Sequence, residues 1–565
     1  MDKSILWGRG TTKNIVAVET LPNQQNIAQV YRRVEGKVVH EAHPYLPFLF
    51  VDSEDPNLKK FDNYESIKLF GSNPLNLLVQ DTNYGLIRAM SNHTRSYHPL
   101  LQSQWMLRTG ETLFTGMEFD DPLRLYIDIE VYTSPGYDFP NSDRPNDKVT
   151  MVSLLTNRGQ GKVMVLNDDG NSPQMDNVTL YDSEKELLEA LVVGIRKLDP
   201  DILLTHNGFS FDLPYLRDRM QMHDVKFGIG RNGSEPRTFT TSIKFAEKSD
   251  EYTNFHVYGR HVIDTYFLAK QFDSIARVLP SYSLKECAKF LGTVDDRTYI
   301  EGNEIASVWD GSHDTHTRED LIRYALDDVK ETRILDKAWG NAKFQMTKAI
   351  PLPFQDVSRY GTGTLIDLLF TRYYLENLWS WPVPDPERKF GGGYAQTFVY
   401  GHIDEPLVYA DFGSLYPTLA QVLNIQPKKD ELKLFQDLIT LLKAERYVYK
   451  NLSKDGETET IRNDAKAVDG SVKVLLNTAS YGWIGWSFGA FNDYDEAERI
   501  TIWGQKSIKR MNYEAEKLNG RVIRSDTDGS LIVVPEQFRG EDKELEFIGL
   551  LEDKVNEWLR GELNG

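Results

Sequence analysis

The most constraining feature of this chain is a run of strand-like and helix-like segments that alternate between residues 118 and 345. LRLYIDIEV (123–131) alternates apolar and polar residues. KVMVLN and DILLTHN are short apolar runs, and between them SEKELLEALVVGIRKL carries apolar residues at helical spacing. Strands separated by helices specify an α/β core. GYDFPNSDRPND (136–147) is so rich in turn formers that it reads as a surface loop following a strand.

The flanks differ from this core. Residues 1–117 mix strand-like stretches (NIVAVE, KVVHEA, YLPFLFV) with Pro, Asn and Gly, and read as an α+β N-terminal domain without recognisable chemistry. Beyond 346, glycine-punctuated RYGTGT and FGGGY precede a strand, LVYADF. Two helical stretches follow, roughly 428–450 and 462–480, joined by the polar turn NLSKDGETET. GRVIRSDTDGSLIVVP then reads as a β-hairpin, its Asp-Gly being a common two-residue turn, and KELEFIGLLEDKVNEWLRGEL as an amphipathic helix. The expected fold is multidomain, α/β and α+β, with boundaries at 1–117, 118–345, 346–427, 428–482 and 483–565.

Composition narrows the function classes. The 565 residues are 40% hydrophobic and 12% aromatic, which excludes disorder as the main state. A net charge of −19 excludes a protein that coats nucleic acid non-specifically, so any polyanion must meet locally basic clefts. The lone Cys287 can form neither an internal disulfide nor a cysteine metal site, which fits a reducing compartment. Neither a signal-peptide start nor an apolar run of about 18 residues is visible, so a soluble, cytoplasmic protein is expected, with no membrane partner.

Two sets of acidic residues carry chemistry. On a strand, Asp128 and Glu130 share a face about 7 Å apart, and two such carboxylates repel unless a cation such as Mg²⁺ or Mn²⁺ neutralises them; a solvated acidic face is the alternative. THNGFSFDLPYL adds Asn207, Phe211 and Asp212 after a strand, and RYALDDVKET sets Tyr324 and Asp328 four apart on one helical face. In the second set, Asp411 ends the strand of LVYADFGSLYPTLA just before Gly413 and a helix start, where carboxylate and backbone N–H groups suit a metal-bound triphosphate; a simple strand-to-helix turn is the alternative. Asp526 and Asp528 stand at the hairpin tip, which by itself could be only a turn. ERYVYK places Arg446 and Lys450, and KVLLN places Lys473 and Asn477, each pair four apart on a helix.

Taken in order, the first set resembles the three exonuclease motifs of DEDD-type 3′→5′ proofreading nucleases attached to DNA polymerases. DFGSLYP and SDTDGS resemble motifs A and C of family B DNA polymerases. The resemblance implies an RNase H-like exonuclease domain at 118–345 and a palm at 346–427 and 483–565, with two-helix fingers at 428–482. It makes Asp128, Glu130, Asp212 and Asp328 ligands of two divalent metals and Tyr324 the side chain that orients the attacking water. It likewise makes Asp411 and Asp528 the principal metal ligands for nucleotidyl transfer, with Asp526 in support. Tyr416 would pack under the sugar and exclude a ribose 2′-hydroxyl, beside Ser414 and Leu415. Arg446, Lys450, Lys473, Asn477 and Tyr481 would hold the incoming nucleotide. FGGGY is similar to the family's template-touching linker, so Phe390, Gly392, Gly393 and Tyr394, together with Asn207 and Phe211, are expected DNA contacts.

The implied cofactor is Mg²⁺, two ions per site with Mn²⁺ as a substitute, and the implied partners are primer-template DNA and dNTPs. GRHVIDTYFLAK and SYSLKECAKFLG look like the interior of the same nuclease domain; Asp264 there reads equally as structural or functional. Two departures from the family pattern stand out. Tyr481 lies four residues after Asn477 where the family usually has three, so either Lys473 or Tyr481 is expected to shift by one position, through a local helix bulge. No thumb is expected after the hairpin, which implies a split or truncated polymerase completed by a separate thumb polypeptide, with a processivity factor as a further partner. The rival readings are a nuclease whose second half only holds DNA and an assembly subunit with relic sites.

Overall fold

In the computed structural model, which describes residues 2–245, 248–292 and 297–563, the alternating segment becomes the strand Arg124–Val131 near the middle of a six-stranded sheet. Its neighbours are Val149–Thr156, antiparallel, and Ile202–Thr205, parallel. Gly161–Leu166 and Val178–Tyr181 extend the sheet on one side and His261–Asp264 on the other. The sheet is therefore mixed. Val149–Thr156 was not singled out in the sequence; the turn-rich loop ahead of it reverses the chain at once, so this strand can only run antiparallel.

Alternation along the central strand divides two cores. Leu125, Ile127, Ile129 and Val131 share a core with the helix Glu184–Leu198. Tyr126, on the carboxylate face, joins a core with Ile15, Val16 and Val18 of the N-terminal strand Ile15–Leu21. Residues 1–117 thus contribute to more than one core. Their first sheet packs against the six-stranded sheet, whereas Phe48 and Phe50 of the second join Trp381 and residues from the helical pair below.

The C-terminal half is built on a four-stranded antiparallel sheet, in the order Ala395–Thr397, Arg521–Asp526, Gly529–Val533, Leu407–Asp411. The long helix Tyr494–Lys517 packs on it through Ile508, Met511 and Ala515, together with Phe547, Leu551 and Val555 of the helix Glu541–Leu563. Above it stand Leu434–Asp455 and Glu459–Asn477. The polar turn expected at 451–460 shrinks to residues 456–458: Leu452 and Lys454 propagate a helix well, so the first helix runs on to Asp455, and Thr458 caps the second by accepting from the Ile461 N–H. The second helix ends in a π-turn, Thr478–Gly482, which is where the bulge was expected. Among the described residues, no helix is long and apolar enough to cross a membrane.

Candidate active sites

Period-two geometry puts Asp128 and Glu130 on one face of their strand, and the helix Arg318–Leu335 brings Asp328 to them. Carboxylate oxygens of the three lie within 4.8 Å of one another. Asp212, buried in the first turn of Asp212–Met222, stands outside that group but close enough to raise it electrostatically; its carboxylate accepts from the Ile129 N–H. Burial first, and then mutual repulsion, drives Asp128 and Glu130 well above the usual carboxylate range. Burial pushes Asp212 up to about 7 and Asp328 up to about 6, the latter held down in part by Arg297 and Lys285. Four acids so poorly solvated and so close together are a donor set for hard divalent cations.

Tyr324 is buried one helical turn before Asp328 and hydrogen-bonds to it; burial and the surrounding carboxylates keep its hydroxyl protonated. Asp327 turns away to pair with Lys330 at 2.8 Å. Asp264 accepts from the N–H groups of Asn207 (2.7 Å) and Phe209 (3.2 Å) and caps the helix Thr265–Ala276, so in this structure it braces the loop carrying Asn207. Asn207 is half-buried in a left-handed conformation, and Phe211, also half-buried, packs on Tyr215. Two cations were not foreseen: Arg297 pairs with Asp328 and Glu331, and Lys285 lies 5.1 Å over the Tyr324 ring. Neither stands at a spacing that links it to the acids.

The second site is a cavity of about 790 Å³ between the four-stranded sheet and the helical pair. Asp411 ends its strand opposite Gly529, and the Phe412 N–H donates to the Asp528 carbonyl at 2.9 Å, so the two acidic positions are adjacent. The hairpin turn is Thr527-Asp528 rather than the expected Asp-Gly, since Asp526 pairs with Gly529 and Thr527 takes the positive φ. Gly529 serves another purpose: a Cβ there would meet the Tyr409 ring at 2.6–2.7 Å and the Ala410 carbonyl at 2.9 Å. Partial burial raises both Asp411 and Asp528, Asp411 adds to the rise at Asp528, and Lys473 opposes both. Asp526 does not line the cavity; its carboxylate accepts from Arg524 (2.9 Å) and Thr527 (3.2 Å).

Ser414, Leu415, Tyr416, Arg446, Lys450, Lys473, Asn477 and Tyr481 all line this cavity. Arg446 donates to Ser414 Oγ at 2.8 Å and faces Asp469 across the helical pair at 3.4 Å. Tyr481, carried by the π-turn, lies with its ring 4.6 Å from that of Tyr416. Lys443 and Tyr447 join the wall and were missed, although their spacing of three or four from Arg446 and Lys450 puts them on the same helical face. The glycine segment lies along the helix Tyr494–Lys517: Gly391 and Gly392 carbonyls accept from Thr501 (2.7 Å) and Gln505 (2.8 Å), and Tyr394 O accepts from the Thr527 N–H (2.8 Å). Phe390 packs against Tyr494, and a Cβ on Gly393 would crowd Thr527 and the Tyr416 hydroxyl.

Residues 109–287 match the family described as DNA polymerase family B, exonuclease domain. A DNA polymerase of Pyrococcus glycovorans is 27% identical over 482 residues, covering 80% of this chain and 59% of that protein. One from Thermococcus sp. (strain 9oN-7) is 29% identical over 392 residues, 63% of this chain and 48% of the relative. The fold is similar to that of the family B DNA polymerase from the hyperthermophilic archaeon Pyrobaculum calidifontis, with a TM-score of 0.72 over 98% of this chain and 76% of that one at 18% identity. Fold and relatives define one class, DNA polymerases that carry an exonuclease domain. The chain is similar to family B members of that class, and its residues 109–287 match that family's exonuclease domain. It spans about 59% of the length of the first of these relatives.

Proposed function

We propose that this chain extends a primer 3′ end from dNTPs on a DNA template, and that its six-stranded domain removes nucleotides from the same end, acting in the cytoplasm of a cell or of a virus's host. The observation that carries the reading is the cavity in which Asp411 and Asp528 face Arg446, Lys450 and Lys473. Anionic and cationic walls across one cleft suit a nucleoside triphosphate, with Arg446 able to bind phosphate bidentately and Lys450 and Lys473 acting as point charges. Tyr416, under the sugar, would refuse a 2′-hydroxyl, and Tyr481 supports its ring. Phe390, Gly392, Gly393 and Tyr394 would meet the template.

Asp411 and Asp528, with Asp526 in support, would hold Mg²⁺ at this site, and Asp128, Glu130, Asp212 and Asp328 would hold it at the other. When bound, the cation supplies charge neutralisation for the phosphate and, in the nuclease site, acidification of a water. Tyr324 is placed to orient that water, and Asn207 and Phe211 to receive the strand end. The locally cationic cleft is how a chain of net charge −19 would accept DNA.

Primer extension with dNTPs and Mg²⁺, run beside degradation without dNTPs, tests the reading. Asp411→Ala should abolish extension and spare degradation, and Asp128→Ala should do the reverse. Degradation without any extension by the unaltered chain would reduce the function to that of a nuclease. A chain that does neither would refute the proposal.

A further inference from the structure

We propose that Gly504 is a positioning residue for sugar discrimination: by letting the helix Tyr494–Lys517 approach without a side chain, it sets how far Tyr416 projects into the nucleotide cavity. The inference rests on the reading of Tyr416 as the residue under the sugar. Gly504 lies in the interior of that helix, and its φ is not positive, so the backbone does not call for glycine. Glycine is also a poor interior helix residue. The close approach is what requires it. A Cβ on Gly504 would stand 3.0 Å from Tyr416 Cε1, 3.1 Å from Oη and 3.2 Å from Cζ. All three neighbours belong to one aromatic ring, which cannot bend out of the way as a flexible side chain would.

The other sides of the ring are also occupied. Tyr416 is 7% exposed. Tyr481 lies against its ring at 4.6 Å, and Thr527 O stands 3.5 Å from its hydroxyl. A Cβ on Gly393 would come within 3.1 Å of the same hydroxyl, so the glycine loop closes the far end. Tyr416 and Tyr481 line the cavity and Gly504 does not. A methyl group at 504 therefore drives the ring toward the cavity, where the sugar would sit. The two glycines act as a seat whose depth fixes the room above the ring.

The test is single-nucleotide incorporation by the full chain on a primed DNA template with Mg²⁺, using dTTP and UTP in parallel. Gly504→Ala should raise KM for dTTP by about tenfold, the scale of one methyl group in a fitted pocket, with a smaller change in kcat. It should also shift the dTTP/UTP ratio of kcat/KM toward stronger rejection of UTP, and leave the exonuclease rate unchanged. In a Tyr416→Ala background, which removes the clashing atoms, Gly504→Ala should be silent. An unchanged KM and ratio in the single variant, or the same change persisting in the Tyr416→Ala background, would overturn the inference. Should the single variant unfold, recovery of the thermal midpoint in the double variant supports the contact, and an equally unstable double variant overturns it. Absence of dTTP incorporation by the unaltered chain is a separate result that removes the proposed function and this inference with it.

Discussion

Carboxylates in this chain occupy two contrasting environments. Those of the six-stranded domain are desolvated and crowded, whereas Asp411 and Asp528 open onto a cavity and are raised only moderately. A third case lies away from both sites. Asp367 is partly buried, accepts from Trp483 Nε1 at 2.7 Å and from the Ala490 N–H, and burial pushes it up to about 7. In the unfolded chain it titrates near 3.8. The folded state therefore keeps a proton that the unfolded state has released, and folding loses stability as pH rises from about 4 to 7, then levels off. The effect is at most about 4 kcal/mol. Asp367→Asn keeps an acceptor for Trp483 without the charge. Its thermal midpoint should exceed that of the unaltered chain at pH 8, with the gap closing toward pH 5. Equal midpoints at pH 8 would show that the carboxyl is not desolvated as described.

At the scale of elements, the π-turn Thr478–Gly482 resolves a spacing conflict. An extra residue in an α-helix rotates everything beyond it by about 100°, whereas a π-turn absorbs that residue and restores the angular register. Tyr481 thereby reaches Tyr416 while Lys473 and Asn477 keep their places on the cavity wall. Deleting Thr478 should convert the turn to regular α-helix and leave KM for dNTPs little changed. Inserting an alanine at the same point should swing Tyr481 away and raise KM about tenfold or more, as displacement of a positioning side chain does. Equal behaviour of the two variants in steady-state extension would count against the register argument. The Thr317–Asp320 capping box does a comparable job for the helix bearing Tyr324 and Asp328, satisfying its first N–H groups. Thr317→Ala should cost about 1 kcal/mol, read as a lower midpoint in denaturant, with a larger fractional loss of exonuclease than of extension.

At the scale of the molecule, the cores cross the boundaries that composition suggests. Phe114 is fully buried between residues of the six-stranded sheet and the segment 341–354; its ring lies 4.7 Å from that of Phe344 and 5.7 Å from that of Phe354. Arg372 extends the same principle: its guanidinium donates to the carbonyls of Ala349, Ile5 and Leu6, tying the helix Ser4–Trp7 to the helix Thr362–Glu376 and to Ala349. Phe114→Ala should destabilise by about 3–5 kcal/mol. Because the core is shared, the inactivation temperatures of extension and degradation should fall together. A fall in only one of them would show that the two halves unfold independently.

Local patterns were enough for the strand Arg124–Val131 and the helices of the six-stranded domain, for the placement of Asp128 and Glu130 on one face, for Tyr324 and Asp328 one turn apart, and for a strand ending at Asp411. Those features follow from periods of two and 3.6 residues, which a linear sequence displays directly. The meeting of Asp328 with Asp128 and Glu130 was implied by the family resemblance and by no local pattern, whereas the approach of Arg297 and Lys285, the role of Asp264 in bracing the Asn207 loop and the depth set by Gly504 were decided only by tertiary structure. The division of residues 1–117 between two cores belongs with these. Each depends on which distant surfaces pack together. That choice rests on the shape and burial of whole elements, and no short stretch of sequence contains it.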